Sequence, residues 1–484
     1  MIALLASLAF AEEPAPPASE PPPADAPPAD APPADAPPTD SRDADIFGSS
    51  TPVPTAAPEA PVDAGLGIDF TPTTNQAIAD KLQLRDDSLT IGGQYFQRFD
   101  LALGDDVDPV ATTVSAPTLL DLFVDSRPND RVRLYARGRL DHDFTVTKLA
   151  ADDPMRAFVR GDRDRVALDQ LWTKFDVNRK VFVTLGQQRL KWGTGRFWNP
   201  TDFTARQTLD PLQSVVFDTR TGVGLVKLQV PLTKANTDLY AIGNFEGANN
   251  LDEIGGALRA EWVGGSTAVS LSAAARKDNP VRLGADLSTG IWLLDFKVEA
   301  AVRHGDKVPS WEGTFDATTF EFPTAVDRSD DWIPEVVGGV EFGAQYNDED
   351  VLYLGVEAFY NDAGYDNSDL YEWLALNGQF RPFYLGKAYV GAYALLPAPG
   401  QWDDASFTGS FLSNLSDQTY VARLDYSQSA LTFLRLAFNA SYYFGKDGEF
   451  HYAFEIPEGT PGFEAGYSQA APMVSVGASA TITF

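Results

Sequence analysis

The chain has 484 residues, with 68 acidic against 37 basic side chains and a formal net charge of -31. The absence of cysteine excludes disulfides, thiol nucleophiles and cysteine-ligated metal sites. The acidic excess argues against nucleic acid as a partner, because phosphate contacts need clustered Lys and Arg. The three histidines stand singly, so the sequence predicts neither a metal site nor a cofactor. Beyond residue 11 no apolar run approaches the roughly 18 residues of a spanning helix, so any membrane crossing must be made by strands.

Residues 1–11 resemble the apolar core of a secretory signal peptide with a small-x-small site at Ala9-Phe10-Ala11. The positive charge that usually precedes such a core is missing, so either the start is truncated or the match is accidental. We predict a signal peptide, and an exported chain without cysteine fits the envelope of a Gram-negative bacterium.

Residues 12–87 differ in composition from the rest of the chain. Sixteen of the 34 prolines lie between Pro14 and Pro61, and a five-residue repeat spaces four acids regularly, at Asp25, Asp30, Asp35 and Asp40. Dense proline and repelling carboxylates favour an extended polyproline II chain without a core. We predict a disordered acidic periplasmic spacer; a tether to another envelope component is the alternative.

Residues 88–484 show apolar and polar residues in alternation. In the clearest segment Leu434, Leu436 and Phe438 alternate with Arg435 and Asn439. Such long alternation fits strands with lipid on one side and water on the other, although a soluble sandwich also alternates. The last apolar row ends in Ile482 and Phe484, which resembles the C-terminal signal recognised by the barrel-assembly machinery.

The alternation predicts an all-β transmembrane antiparallel barrel of about eighteen strands. Its even-numbered connections are short and most odd-numbered ones are long, as expected for a closed barrel with both termini in the periplasm. The segments at 281 and 375 are the weakest, and loss of one hairpin would give sixteen strands. The predicted strands are 89–101, 117–126, 131–145, 166–177, 180–192, 219–230, 235–245, 254–263, 266–276, 281–288, 291–303, 334–346, 350–361, 375–383, 387–396, 416–427, 431–445 and 471–484.

The third outer connection is the most unusual stretch, because residues 192–203 read WGTGRFWNPTDF. A loop in water would not need so many aromatic side chains, whereas a loop folded into the lumen would find walls to pack on. We predict that it folds into the lumen. The candidate residues are Arg189, Trp192, Arg196, Phe197, Trp198, Asn199, Asp202, Phe203 and Arg206.

This run resembles a motif of uncharacterised Gram-negative outer-membrane porin-like families. The whole barrel is similar in plan to substrate-specific and alginate-export-type porins. The resemblance covers about 395 residues as architecture but only some twenty as motif. It implies an outer-membrane barrel whose inturned third loop narrows a channel, and it names no solute.

Alternate side chains of a strand point to the same face. On the third strand this alternation predicts one inward-facing row, formed by Arg131, Arg133, Tyr135, Arg137 and Arg139. For most inward charges, pairing across neighbouring strands is the simplest account. For this row we expect an anion or an acidic loop opposite, because adjacent like charges repel.

No enzyme is predicted, since no Ser lies in a GxSxG elbow and no His has a Ser and an acid at a recognisable spacing. We expect an outer-membrane porin for small hydrophilic solutes. The alternatives are a structural or adhesive barrel and, less favoured, an outer-membrane hydrolase. The expected partners are outer-membrane lipid, the assembly machinery, small solutes, two further copies in a homotrimer, and a periplasmic contact through the acidic tail.

Overall fold

The computed structural model describes residues 88–104, 113–146, 163–204, 221–277, 279–306, 308–316, 321–347, 350–456 and 467–484. The predicted signal peptide and the acidic spacer therefore lie outside the described residues. None of the helices in the described ranges is both long and apolar enough to cross a membrane.

Eighteen long strands of the described chain form one barrel. They are β1 Leu89–Gly104, β2 Pro117–Asn129, β3 Val132–Asp143, β4 Asp164–Val177, β5 Val181–Gln188, β6 Val223–Leu232, β7 Thr237–Asn244, β8 Gly255–Gly264, β9 Thr267–Arg276, β10 Asn279–Ile291, β11 Leu294–His304, β12 Trp332–Gln345, β13 Val351–Asn361, β14 Ala388–Pro397, β15 Ala405–Asn414, β16 Thr419–Leu431, β17 Leu434–Gly445 and β18 Pro472–Thr483.

The shorter elements lie in the connections. Thr113–Ser115 pairs with β1, Ser310–Glu312 with Thr324–Val326, and Phe454–Ile456 with Tyr467–Gln469. One α-helix, α1, spans Tyr371–Leu376, and 3₁₀ turns span Thr233–Ala235 and Leu251–Glu253.

Every strand pairs antiparallel with the next, and β1 pairs with β18 over eleven register positions from Gln94↔Thr483 to Gly104↔Pro472. Beyond β18, the Phe484 N–H donates to the Gly93 carbonyl at 3.0 Å and the Gly93 N–H donates to the Phe484 carbonyl at 2.8 Å. The barrel is therefore closed, as the sequence predicted. A role of Ile482 and Phe484 as an assembly signal stays a prediction.

One predicted hairpin is wrong. Residues 375–383 form the end of α1 and a turn, where Tyr371 and Leu374 are buried at helical spacing. Residues 405–414, assigned to an outer connection, form β15. Serine, threonine and glycine weaken the alternation there. One predicted strand is absent and one strand that was not predicted is present, so the number of strands equals the predicted eighteen.

The outer face of the barrel is apolar between two rims of aromatic rings. At the end with the long connections, Tyr420 stacks on Phe444 at 5.2 Å and Tyr442 on Phe444 at 5.3 Å. At the end with the short connections, Phe407 lies 5.0 Å from Tyr426. Aromatic girdles around an apolar band are typical of barrels embedded in a bilayer.

Candidate functional site: the barrel interior

The third long connection runs inside the barrel over its described part, residues 189–204, which we call the crossing loop. It leaves β5 at Gln188. Leu190 and Trp192 then pack against Leu225 of β6 and Ile242 of β7, and all four side chains are buried. The aromatic residues thus have the protein walls that the sequence analysis required.

Glu299 of β11 anchors the first half of the crossing loop. Its fully buried carboxylate accepts the N–H groups of Thr194 and Gly195, the latter at 2.5 Å. It also accepts the Thr201 hydroxyl at 2.9 Å. The carboxylate satisfies backbone N–H groups that would otherwise be buried without a partner, so this contact ties the loop to the wall.

Glu357 of β13 anchors the tip of the loop in the same way. Its buried carboxylate accepts three consecutive backbone N–H groups, from Arg196 at 2.7 Å, Phe197 at 3.0 Å and Trp198 at 2.9 Å. In a barrel of eighteen strands β13 lies eight strands from β5, so the loop crosses the lumen.

Trp198 is the largest fully buried side chain of the crossing loop. Its ring stacks on Phe359 at 5.4 Å, and its indole N–H donates to the Phe383 carbonyl at 3.0 Å. Phe197 packs beside it against β14, so closely that a Cβ at Gly391 would lie 2.4 Å from the Phe197 ring. Both rings belong to the main hydrophobic cluster of the described chain.

The remaining loop candidates are dispersed. The Arg196 guanidinium lies 3.5 Å from the Tyr393 ring centroid. The Arg189 guanidinium donates two hydrogen bonds to the carboxylate of Asp169 on β4, at 2.7 and 3.1 Å. The Asn199 carbonyl accepts the Asp202 N–H at 3.1 Å in a turn. Phe203 packs edge-on against Trp192, and Arg206 lies outside the described residues.

Every arginine of the β3 row has a carboxylate nearby. Arg131 pairs with Asp176 at 2.9 Å, Arg133 with Asp125 at 2.9 Å and Arg139 with Asp121 at 2.8 Å. Arg137 lies 4.0 Å from Asp169. Acids of β2 and β4 accompany all four arginines, because these strands flank β3. That an anion or an acidic loop also faces this row stays a prediction.

Aromatic rings separate the arginines along this wall. Tyr135 stacks on Trp172 at 5.3 Å and on Phe123 at 6.1 Å. Arg133 lies over Trp172 and Arg137 over Tyr135, at 5.3 and 5.7 Å. Tyr135, a predicted solute contact, is itself buried among these side chains.

Three features of the interior were not predicted from the sequence. The sequence indicated no role for Glu299 and Glu357, because their partners are backbone groups remote in sequence. It also missed Asp169, which lies at an irregularity in the β3–β4 register between Arg137 and Gly138. The alternation of side-chain direction along a strand is interrupted at such a β-bulge.

A second polar cluster lies among the long connections. The buried carboxylate of Glu449 accepts the Phe383 N–H, the Tyr389 hydroxyl at 2.7 Å and the Asn414 amide at 2.8 Å. The Glu449 N–H donates to Asp417 at 2.7 Å. Burial raises the pKa of Glu449 from 4.5 to about 8 and also raises the pKa of Asp417. No sequence pattern marked this cluster.

No protein-family model matches the sequence, and neither does any curated protein. Solved structures of similar chain path include Acinetobacter baumannii OccAB1, at 11% identity over 82% of this chain and 96% of that chain, with a TM-score of 0.49. Pseudomonas aeruginosa OccK1 (OpdK) is 10% identical over 82% and 98%, with a TM-score of 0.49. A BenF-like porin from Pseudomonas fluorescens Pf-5 is 9% identical over 82% and 99%, with a TM-score of 0.49. The barrel fold is established by the hydrogen-bonded pairing of this chain's own strands.

Proposed function

We propose that this chain is an outer-membrane channel through which small hydrophilic solutes diffuse. The observation that carries the proposal is a closed barrel with an apolar outer face, a charged inner wall and a loop fixed across its lumen. An adhesive or purely structural barrel has no need of a fixed internal loop. The loop would narrow the pore, and the remaining space would exclude larger solutes.

Several further assignments belong to the same proposal. The first eleven residues direct export into a Gram-negative envelope, and the barrel-assembly machinery inserts the chain by way of Phe484. The acidic segment 12–87 acts as a periplasmic spacer and makes any periplasmic contact. A homotrimer is the proposed assembly, since trimers are common among porins.

Planar-bilayer recording of the purified full chain tests the proposal. We expect discrete conductance steps and permeation of small sugars into liposomes, with exclusion of larger oligosaccharides. A correctly folded barrel that inserts without conducting would favour the structural or adhesive alternative. The spacer is tested in the same assay, because removal of residues 12–80 should leave conductance and its salt dependence unchanged.

A further inference from the structure

The turn that joins β14 to β15, residues 398–404, lies against the outer face of the barrel. Its Trp402 ring stacks on Phe407 of β15 at 6.0 Å, and Phe407 lies 5.0 Å from Tyr426 of β16. Tyr426 also stacks on Phe438 of β17 at 6.3 Å. These rings belong to the aromatic rim at the end with the short connections. The turn therefore lies where the apolar band of the barrel ends and the polar lipid headgroups begin.

Hydrogen bonds fix the position of this turn. The Ser429 N–H of β16 donates to the Asp404 carbonyl at 2.8 Å. The Gly400 N–H donates at 3.1 Å to the carboxylate of Asp350, which precedes β13. Because the turn is tied to a strand and to a neighbouring connection, a ligand that binds to it has little further ordering to impose.

A groove of about 360 Å³ opens between the turn and β16, and we call it the turn groove. Two carboxylates, two amides and two aromatic rings line it: Asp403, Asp404, Gln401, Gln428, Trp402 and Tyr426. Pockets for small molecules in proteins begin at about 300 Å³. The turn groove is therefore large enough for the polar headgroup of one lipid.

The two carboxylates of the turn groove lack a positive partner. Asp403 and Asp404 are exposed, and no Lys, Arg or His of the described ranges forms an ion pair with either side chain. Adjacent negative charges at a membrane surface repel one another and the lipid phosphates, so they favour a cation between them. The ring faces of Trp402 and Tyr426 attract the same kind of group. Carboxylates beside aromatic rings therefore point to an ammonium group.

The two amides supply hydrogen-bond donors beside these acceptors. The Tyr426 hydroxyl donates to Gln428 Oε1 at 2.9 Å, which occupies the acceptor of that amide. Neither the NH₂ group of Gln428 nor that of Gln401 donates a hydrogen bond to any residue that the structure describes. Such donors suit the oxygens of a phosphate. A headgroup that joins an ammonium group to a phosphate through a short linker would satisfy the carboxylates and the amides together.

We propose that the turn groove binds phosphatidylethanolamine, a phospholipid with a primary ammonium group, in the periplasmic leaflet of the outer membrane. The ammonium group donates hydrogen bonds to Asp403 and Asp404, and the phosphate accepts hydrogen bonds from the two amides. A primary ammonium group fits better than a quaternary one, because only the former has N–H groups to donate. The inference rests on the proposed outer-membrane location and is independent of conduction.

Native mass spectrometry of the full-length protein tests this site. The detergent-solubilised barrel is supplied with equal amounts of phosphatidylethanolamine, phosphatidylcholine and phosphatidylglycerol with the same acyl chains, and the bound lipid is identified by its mass. Phosphatidylcholine keeps the positive charge without N–H donors, and phosphatidylglycerol lacks the ammonium group. We expect phosphatidylethanolamine to be retained about fivefold more than phosphatidylglycerol, with phosphatidylcholine between them.

Variants locate the bound lipid. The double substitution of Asp403→Asn and Asp404→Asn, and separately Trp402→Leu, should remove most of the preference for phosphatidylethanolamine. Asp130→Asn and Trp292→Leu are the matched controls and should keep it, because both residues are exposed in other short connections. Circular dichroism establishes that each variant is folded.

Retention of phosphatidylethanolamine no greater than that of the other two lipids would overturn the proposed site. An unchanged preference in the doubly substituted variant, or an equal loss in the controls, would do the same. A wild-type barrel that fails to insert into liposomes of any of these lipids would instead contradict the outer-membrane location.

Discussion

Across the lumen, the carboxylate of Glu357 on β13 accepts the backbone N–H of Trp198 at 2.9 Å, and Trp198 is fully buried. This hydrogen bond and the burial of the Trp198 ring make the tip of the crossing loop part of the hydrophobic interior. The loop is therefore a fixed element of the barrel, attached at a hydrophobic anchor and two carboxylates.

The first prediction concerns these carboxylates. Replacing Glu299 and Glu357 with Gln exchanges one acceptor oxygen of each side chain for a donor amide group, and a hydrogen bond contributes a net stabilisation of about 0.5–1.5 kcal/mol. We expect the doubly substituted barrel to assemble, with a larger and more strongly fluctuating single-channel conductance. Glu312→Gln, at an exposed acid of a long connection, is the matched control. A steady conductance equal to wild type would show that the carboxylates do not hold the loop.

The second prediction concerns Trp198. Removing its ring leaves a cavity among Phe359, Tyr389 and Phe197, and Trp→Ala in a core costs about 3–5 kcal/mol. We expect Trp198→Ala to lower the thermal unfolding temperature, measured by circular dichroism in detergent. Trp292→Ala is the control, because that side chain is almost fully exposed in a turn. Equal shifts for the two variants would contradict the assigned role of Trp198.

The third prediction concerns the paired arginines of β3. Replacing Arg133 and Arg137 with Gln removes two positive charges. Asp125 then loses the two hydrogen bonds from Arg133, and Asp169 loses the nearby guanidinium of Arg137. The relative permeability to anions should fall, most visibly at low salt, where screening is weak. Reversal potentials in a salt gradient measure the change. Adding Asp125→Asn to Arg133→Gln restores the net charge and should return the reversal potential towards wild type.

The fourth prediction concerns pH and Glu449. Its pKa is raised from 4.5 to about 8 by burial, so between these values the folded state holds a proton that the unfolded state releases. This contribution to stability is fully present below the lower value and is lost as the pH rises through the upper one. Asp417, whose pKa is also raised, acts in the same direction.

We therefore expect the unfolding temperature to fall between about pH 5 and pH 8, with a smaller fall in Glu449→Gln, which cannot titrate. Thermal unfolding at a series of pH values provides the measurement. Parallel profiles for the two proteins would show that Glu449 titrates normally.

The sequence by itself determined the barrel, its closure and its eighteen strands, because lipid on one side and water on the other impose a period of two on every strand. It also placed the inward face of β3 correctly. Its one misplaced hairpin has two causes. Small or polar residues predominate in Ala405–Asn414 and weaken the alternation there, and the apolar residues of α1 resemble those of a strand.

Only the tertiary structure decided how the interior is arranged. The crossing loop is held by contacts between residues 98 to 161 positions apart. Glu299 and Glu357 bind its backbone N–H groups, which every residue except proline carries. The partner of Arg137 depends on a register irregularity at Asp169. Such contacts depend on three-dimensional proximity, which alternation along one strand does not encode.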